Sequence, residues 1–280
     1  MSAEPLSFWA GAAGPLGPLD WGRRFAALPE ALAAGPVHVI SDLHLPPHGG
    51  ERTERFAAWC AAERPAHLVC LGDLFDVWVG RAQMRLAGTA PVAAALAGIA
   101  GAGGRIDLVP GNRDALLDAE FARAAGASLH PDGCILTGVG SGRVLCVHGD
   151  ELCVREPGYL RLRRILRSRG LRALARVAPL WFASAVGRSL RERYSGARGP
   201  RRATRGPQPD AALAAAWSAG AALVLSGHSH APEDVSLPGT RLVAVEPGRP
   251  AVRWITLGAF GDGADVVRLG PGVEVQSALE

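Results

Sequence analysis

The stretch Val37-His38-Val39-Ile40-Ser41-Asp42-Leu43-His44 decides how this chain folds: a short apolar run passes directly into Asp-x-His. A brief run of β-branched residues stopped by polar ones reads as a buried strand. The same grammar returns four times. His67-Leu68-Val69-Cys70-Leu71 ends at Gly72-Asp73, Ile106-Asp107-Leu108-Val109 at Pro110-Gly111-Asn112, Val144 to Val147 at His148-Gly149-Asp150, and Ala222 to Leu225 at Ser226-Gly227-His228. Helix patterns lie between these runs. One spans about Arg52 to Glu63 with Phe56, Trp59 and Cys60 on its inner face; others span about Pro91 to Ala100, Leu116 to Ala125 and Ala211 to Ala219. Further strands are expected near Ile135, Leu242 to Val245, Val252 to Leu257 and Asp265 to Leu269. Strands alternating with helices predict an α/β fold, whose sites form outside the carboxyl ends of the strands.

Composition narrows the class. With 48% hydrophobic and 20% charged residues over 280 positions, the chain is globular rather than disordered. No run of 18 apolar residues is present, so no spanning helix is expected. All thirty basic residues are Arg. Fifteen of them fall between Arg155 and Arg205 against only Glu156 and Glu192, a net +13, which leaves −9 for the rest of a chain whose total is +4. Five cysteines (Cys60, Cys70, Cys134, Cys146, Cys153) form no C-x-x-C pair, and three sit inside apolar runs as core thiols do. Met1 to Pro18 lacks the basic-then-apolar order of a secretory signal, so a reducing cytoplasm is expected. Residues 1–35, rich in Ala, Gly and Pro, read as an N-terminal extension with a helix between about Trp21 and Ala34, kinked at Pro29.

The chemistry sits at the strand ends: Asp42-x-His44, Gly72-Asp73, Gly111-Asn112-Arg113-Asp114, His148-Gly149-Asp150 and Gly227-His228-Ser229-His230. Each alone is weak. Together, Asp42, His44, Asp73, Asn112, His148, His228 and His230 supply seven oxygen and nitrogen donors at successive strand ends, which points to a dinuclear metal site. Imidazole and carboxylate without thiolate suit Mn, Fe or Zn. Two cations repel unless an anion bridges them, and Asp73 is the natural bridge. Glycine before a ligand lets the backbone turn and approach closely.

In these motifs the chain resembles the calcineurin-like metallophosphoesterases, whose pattern is D-x-H, G-D, G-N-[HR]-D, H and G-H-x-H; all five occur in order over roughly residues 37 to 260. The resemblance implies a four-layer α/β/β/α sandwich. It implies one divalent metal on Asp42, His44, Asp73 and His230 and a second on Asp73, Asn112, His148 and His228, most readily Mn, with Fe or Zn as alternatives. Arg113 replaces the His of many relatives. Arg cannot act as a general acid at neutral pH but offers a planar fork to phosphate. G-N-R-D resembles one branch, the UDP-2,3-diacylglucosamine diphosphatases of lipid A biosynthesis. Gly72-Asp73-Leu74-Phe75-Asp76-Val77-Trp78-Val79-Gly80, His148-Gly149-Asp150-Glu151-Leu152-Cys153 and Leu257-Gly258-Ala259-Phe260 look like that branch's other motifs.

Between His148 and His228 lies an insertion with helical runs Tyr159 to Arg169 and Leu171 to Tyr194, carrying apolar Leu160, Ile165, Leu171, Leu174, Val177, Leu180, Trp181, Phe182, Val186 and Leu190. The expected layout is an extension at 1–35, a core at 36–154 and 207–280, and an Arg-rich helical cap at 155–206, its tail Gly196 to Pro209 a loop. An apolar pocket with a basic rim suits a ligand that is both greasy and anionic, at the face of an anionic membrane. The branch implies hydrolysis of the diphosphate of UDP-2,3-diacylglucosamine to UMP and 2,3-diacylglucosamine 1-phosphate, with the protein peripheral on the inner face of the inner membrane. Asp73, Asn112, Arg113 and His148 would be catalytic, Asn112, Arg113, Glu156 and His228 would meet substrate, and Asp114 and Asp150 would orient ligand imidazoles. Three departures stand out: only Glu156 represents the acidic residues the branch carries after H-G-D-x-L-C, Tyr194 to Gly206 lacks clear equivalents of its substrate-binding Ser, Asn and Lys, and the N-terminal extension has no counterpart. Another nucleotide-diphosphate phosphoesterase, or a nucleic-acid-processing phosphodiesterase using the basic stretch, are the alternatives; no nucleic-acid partner is expected.

Overall fold

The computed structural model describes residues 22–179, 181, 206–239 and 249–278. The chain runs β1 (Glu30–Leu32), β2 (Val37–Ile40), α1 (Glu51–Glu63), β3 (His67–Leu71), α2 (Thr89–Gly101), β4 (Arg105–Val109), α3 (Ala119–Ala124), β5 (Ser128–Leu129), β6 (Cys134–Val139) and β7 (Gly142–Cys146). It continues through α4 (Pro157–Leu166), α5 (Arg169–Val177), α6 (Pro209–Ala219), β8 (Leu223–Ser226), β9 (Glu233–Leu237), β10 (Val252–Thr256), β11 (Val266–Leu269) and β12 (Val273–Gln276). Two six-stranded sheets result, ordered β1-β6-β7-β8-β10-β9 and β12-β11-β2-β3-β4-β5. In the second, β2 to β5 are parallel and β11 joins β2 antiparallel. In the first, β7, β8 and β10 are parallel, with antiparallel β6 and β9 on either side.

Alternation within each strand builds the layers. Val37, Val39, Val69 and Leu71 face Leu136, Val144, Leu223 and Leu225 across the gap between the sheets. Their neighbours Ile40, Leu68 and Cys70 point the other way, onto Phe56 and Trp59 of α1 and Val92 and Leu96 of α2. On the far side, Leu145, Val224 and Trp254 pack on α6 and Phe25. Helices therefore cover both outer faces, giving the α/β/β/α order. Strands buried on both faces read as continuous apolar runs, which is why they were legible. All five cysteines are buried free thiols. No helix among the described residues is long and apolar enough to cross a membrane.

Several elements differ from expectation. The helix expected from Trp21 to Ala34 is a 3-10 turn at Arg23–Ala27 followed by β1, which pairs in parallel with β6, Glu30 opposite Ile135 and Leu32 opposite Thr137. Pro29 stops the helical run, and Ala31 then fills a place in the core between the sheets. The helix expected over Leu116 to Ala125 begins only at Ala119, because the Asp118 side chain caps it by accepting from the N–H groups of Glu120 and Phe121. Four short or edge strands, β1, β5, β9 and β12, carried too little apolar sequence to be read. The strand expected at Leu242 to Val245 lies outside the described residues, as do Leu180, Phe182, Val186 and Leu190 and most of the Gly196 to Pro209 tail.

Candidate metal centre

The turns after β2, β3, β4, β7 and β8 bring the seven predicted donors to one place. Asp42 and His44 follow β2, Asp73 follows β3, Asn112 follows β4, His148 follows β7, and His228 and His230 follow β8. Five of them, Asp42, His44, Asp73, His228 and His230, have positive φ between 49° and 68°. Non-glycine residues adopt that region rarely and at some cost, and such strain gathers at functional sites. The turns are mutually fixed: the Asp42 N–H donates to the Gly72 carbonyl at 3.1 Å and the His44 N–H to the Asp73 carbonyl at 2.8 Å. A Cβ at Gly227 would collide with the Ser41 and Asp42 side chains, so only glycine lets the β8 turn close over Asp42.

One group of donors is Asp42, His44 and His230, whose ligand atoms all lie within 4.8 Å of one another. His44 Nε2 and His230 Nε2 are 3.0 Å apart, and His230 Nε2 is 3.3 Å from Asp42 Oδ1. Asp73 Oδ2 stands 4.0 Å from His44 Nδ1. The other group centres on Asn112, whose Oδ1 is 3.0 Å from His148 Nε2 and 3.1 Å from His228 Nδ1. Asp73 reaches this group too, with Oδ1 3.7 Å from His148 Nε2. Asp73 thus stands within 4.0 Å of a donor in each group, and Asp42 also lies between them, its ligand oxygen within 4.8 Å of those of Asp73 and His148. His148 Nδ1 donates to the Leu71 carbonyl at 2.7 Å, which turns Nε2 toward Asn112 and Asp73 and leaves it the atom able to coordinate.

The electrostatics belong to a site built for cations. Asp42 Oδ1 and His44 Nδ1 are buried and make no hydrogen bond. Burial pushes Asp73 up to about 7, helped by the carboxylates of Asp114 and Asp42. Burial opposes protonation of His148, but Asp73, Asp42 and Asp150 outweigh it and raise the imidazole to about 9. Burial lowers His44 to about 3 and His228 to about 4. Crowded negative charge thus favours a proton on Asp73 and on His148, whereas desolvation keeps His44 and His228 neutral, with lone pairs free for a cation. The donor set is mixed N and O without thiolate, which suits divalent metal ions, and its residues fit a pair of them.

Arg113 borders the centre. Its N–H donates to Asp73 Oδ1 at 2.8 Å, its Nη1 to Asp76 Oδ1 at 3.0 Å, and its Nε lies 3.7 Å from Asp73 Oδ2. Asp76 thereby holds the guanidinium beside Asp73, a role that no spacing rule disclosed. Glu156 occupies the N-cap position of α4, on the chain leaving the His148 turn.

The expectation that Asp114 and Asp150 orient ligand imidazoles is overturned. Asp114 accepts from the N–H groups of Gly111, at 2.6 Å, and Phe75, at 3.3 Å, binding the Asn112 turn to the Asp73 turn. Asp150 accepts from Tyr159 and Arg163 of α4. The imidazole of His148 is instead steered by a backbone carbonyl, because Leu71 ends the neighbouring strand within its reach.

Comparison with known proteins agrees with this geometry. The sequence model of the calcineurin-like phosphoesterases matches residues 35–232. The chain is 38% identical over 74% of its length to the UDP-2,3-diacylglucosamine hydrolase of Ralstonia nicotianae, covering 81% of that protein. It is 34% identical over 84% of its length to the enzyme of the same name from Bordetella pertussis, covering 90% of it, and 35% identical over 74% to that of Pseudomonas paraeruginosa, covering 89%. Seven donors converging from five strand ends of a two-sheet sandwich, with this likeness over most of the chain, place the protein in the calcineurin-like phosphoesterase family of metal-dependent hydrolases.

Proposed function

We propose that the protein hydrolyses the diphosphate of UDP-2,3-diacylglucosamine to UMP and 2,3-diacylglucosamine 1-phosphate, using two Mn ions, at the inner face of a lipid A-producing inner membrane. The observation that carries this reading is Arg113, a guanidinium set by Asp76 beside Asp73 where family members of other specificity place His. The activity for which the relatives above are named points the same way.

When bound, the metals would lower the pKa of an attacking water and stabilise charge on the phosphoryl oxygens. The residues of this chain do the rest. Asp42, His44, Asp73 and His230 would hold one ion, and Asp73, Asn112, His148 and His228 the other. Arg113 presents two donors to the diphosphate and offsets its charge, while Asn112 and His228 flank the phosphate and Glu156 the substrate's far side. On the inserted helices, exposed Ile165, Leu174, Val177 and Trp181 alternate with exposed Arg161, Arg164, Arg169 and Arg176. That surface suits acyl chains and an anionic membrane together.

The test is kcat/KM for UDP-2,3-diacylglucosamine, UDP-glucosamine and single-stranded DNA, in detergent at fixed salt. Each buried CH₂ contributes about 0.8 kcal/mol, so the acylated substrate should be preferred by orders of magnitude. Equal values for the acylated and unacylated sugars would refute the assignment.

A further inference from the structure

The first inserted helix is tied to the loops that carry the site. α4 turns three residues at successive four-residue spacing, Tyr159, Arg163 and Arg167, onto the core. The Tyr159 hydroxyl donates to Asp150 Oδ2 at 2.5 Å, and Arg163 Nε donates to the same oxygen at 2.8 Å. Arg163 also lies 3.5 Å from Glu151. Arg167 reaches the other loop: its Nη2 donates to the carbonyls of Pro110, at 2.8 Å, and Gly111, at 3.2 Å, and its Nη1 donates to that of Pro131. Its Nη2 also stands 3.9 Å from Asp150 Oδ1. Asp150 is completely buried and the Arg163 and Arg167 side chains are 11% and 6% exposed, so these contacts are shielded from water.

The two loops so gripped are those that deliver Asn112 and His148. They come from different sheets, β4 in one and β7 in the other. The Asn112 and His148 side chains meet across that divide at 3.0 Å. The neighbouring α5 is docked as well, since the Ala175 backbone approaches Gly80 so closely that a Cβ there would strike the Ala175 carbonyl. Among the described arginines of the basic segment, Arg163 and Arg167 therefore face inward, balanced by Asp150, Glu151 and Asp132, rather than outward to an anion.

We propose that Tyr159, Arg163 and Arg167 are positioning residues for the second metal: α4 clasps the Pro110–Gly111 and His148–Asp150 turns and holds Asn112 and His148 at coordinating distance. The proposal rests on the two-metal reading given above. It makes occupancy of that metal depend on the docking of the inserted helices. Groups that orient metal ligands in this indirect way change affinity by about 10- to 100-fold when removed.

The experiment is stepwise Mn(II) binding to the metal-stripped full-length protein, followed by equilibrium dialysis with electron paramagnetic resonance of free Mn(II), alongside thermal melting. Wild type should bind two ions. Arg167→Leu should leave the tighter ion in place and weaken the other by about 10- to 100-fold, and Arg167→Lys should recover part of the loss. Tyr159→Phe should act in the same direction with little change in melting temperature. Should Arg163→Met alone not fold, because it strands Asp150, the charge-balanced pair Asp150→Asn with Arg163→Met takes its place. Arg164→Ala, on the exposed side of α4, should change neither ion. Unchanged second-ion affinity in Arg167→Leu and Tyr159→Phe, or equal weakening of both ions, would overturn the proposal. A wild type that binds fewer than two ions would instead sink the two-metal reading, and the clasp with it.

Discussion

His44 Nε2 lies 3.0 Å from His230 Nε2 although the two residues leave strands of different sheets, β2 in one and β8 in the other. Two imidazole nitrogens at that distance need a proton or a cation between them. A metal held by His44 and His230 would join one sheet to the other at their carboxyl ends, and its binding energy would become folding energy.

Mn should therefore raise thermal stability by mass action, by about 2.7 kcal/mol at a free concentration 100 times Kd. Chelation should reverse the gain and abolish turnover. Differential scanning calorimetry with and without chelator reads the first, and turnover after dialysis the second. Full activity in excess chelator would contradict the dinuclear centre.

Removing a direct ligand should be severe. Asp73→Ala and Asn112→Ala should each lower kcat by about a thousandfold or more, since the charge stabilisation at the reacting phosphate goes with the metal. Arg113→Ala should cost about a hundredfold and fall mainly on diphosphate binding. Asp76→Ala should reproduce part of the Arg113 defect, because it releases the guanidinium from its 3.0 Å contact.

The centre also sets a pH dependence. Without metal, Asp73 is raised from 3.8 to about 7 and His148 from 6.5 to about 9. Both folded-state values lie above the unfolded ones, so their contribution to the metal-free fold is full in acid and is lost as pH rises toward about 9. Mn must displace these protons, so its affinity should climb between about pH 6 and pH 9 with proton release. Titration calorimetry in buffers of different ionisation enthalpy would count the protons; a flat affinity over that range is the adverse result.

Substitutions on the exposed apolar surface separate substrates. Leu174→Ser or Trp181→Ser should lower kcat/KM for the diacylated substrate by about tenfold, the loss expected from one or two buried methylenes, and leave UDP-glucosamine turnover unchanged. Parallel losses on both substrates would mean that this surface does not meet the acyl chains.

Away from the centre, Asp107 is wholly buried between His67, at 2.6 Å, and His130, at 2.7 Å, with Arg105 donating at 3.0 Å. Burial alone would raise this carboxyl, but its partners hold it well below the ordinary carboxylate range. Its contribution is present above about pH 4 and lost as pH falls through the folded value. Asp107→Ala should cost about 3 kcal/mol in chemical denaturation, because it strands buried partners, while Mn stoichiometry stays at the wild-type value.

The sequence by itself determined the strands that are buried on both faces and the identity of the donors at their ends. Val37–Ile40, His67–Leu71 and Leu223–Ser226 are buried throughout and, apart from His38, His67 and Ser226, apolar, because helices cover one face and the second sheet covers the other. Asp, His and Asn at their ends have no role in such a core, which is why they stood out. Edge strands left weaker traces: Glu233–Leu237 is mostly exposed and polar, and Glu30–Leu32 is three residues long. Tertiary structure alone decided the partners. Nothing in the spacing told that Leu71 rather than Asp150 steers His148, that Asp76 holds Arg113, or that Asp150 belongs to Tyr159 and Arg163. Composition counted fifteen positive charges on the inserted segment, but only packing shows that Arg163 and Arg167 turn inward, because a buried carboxylate draws in the cation that can reach it.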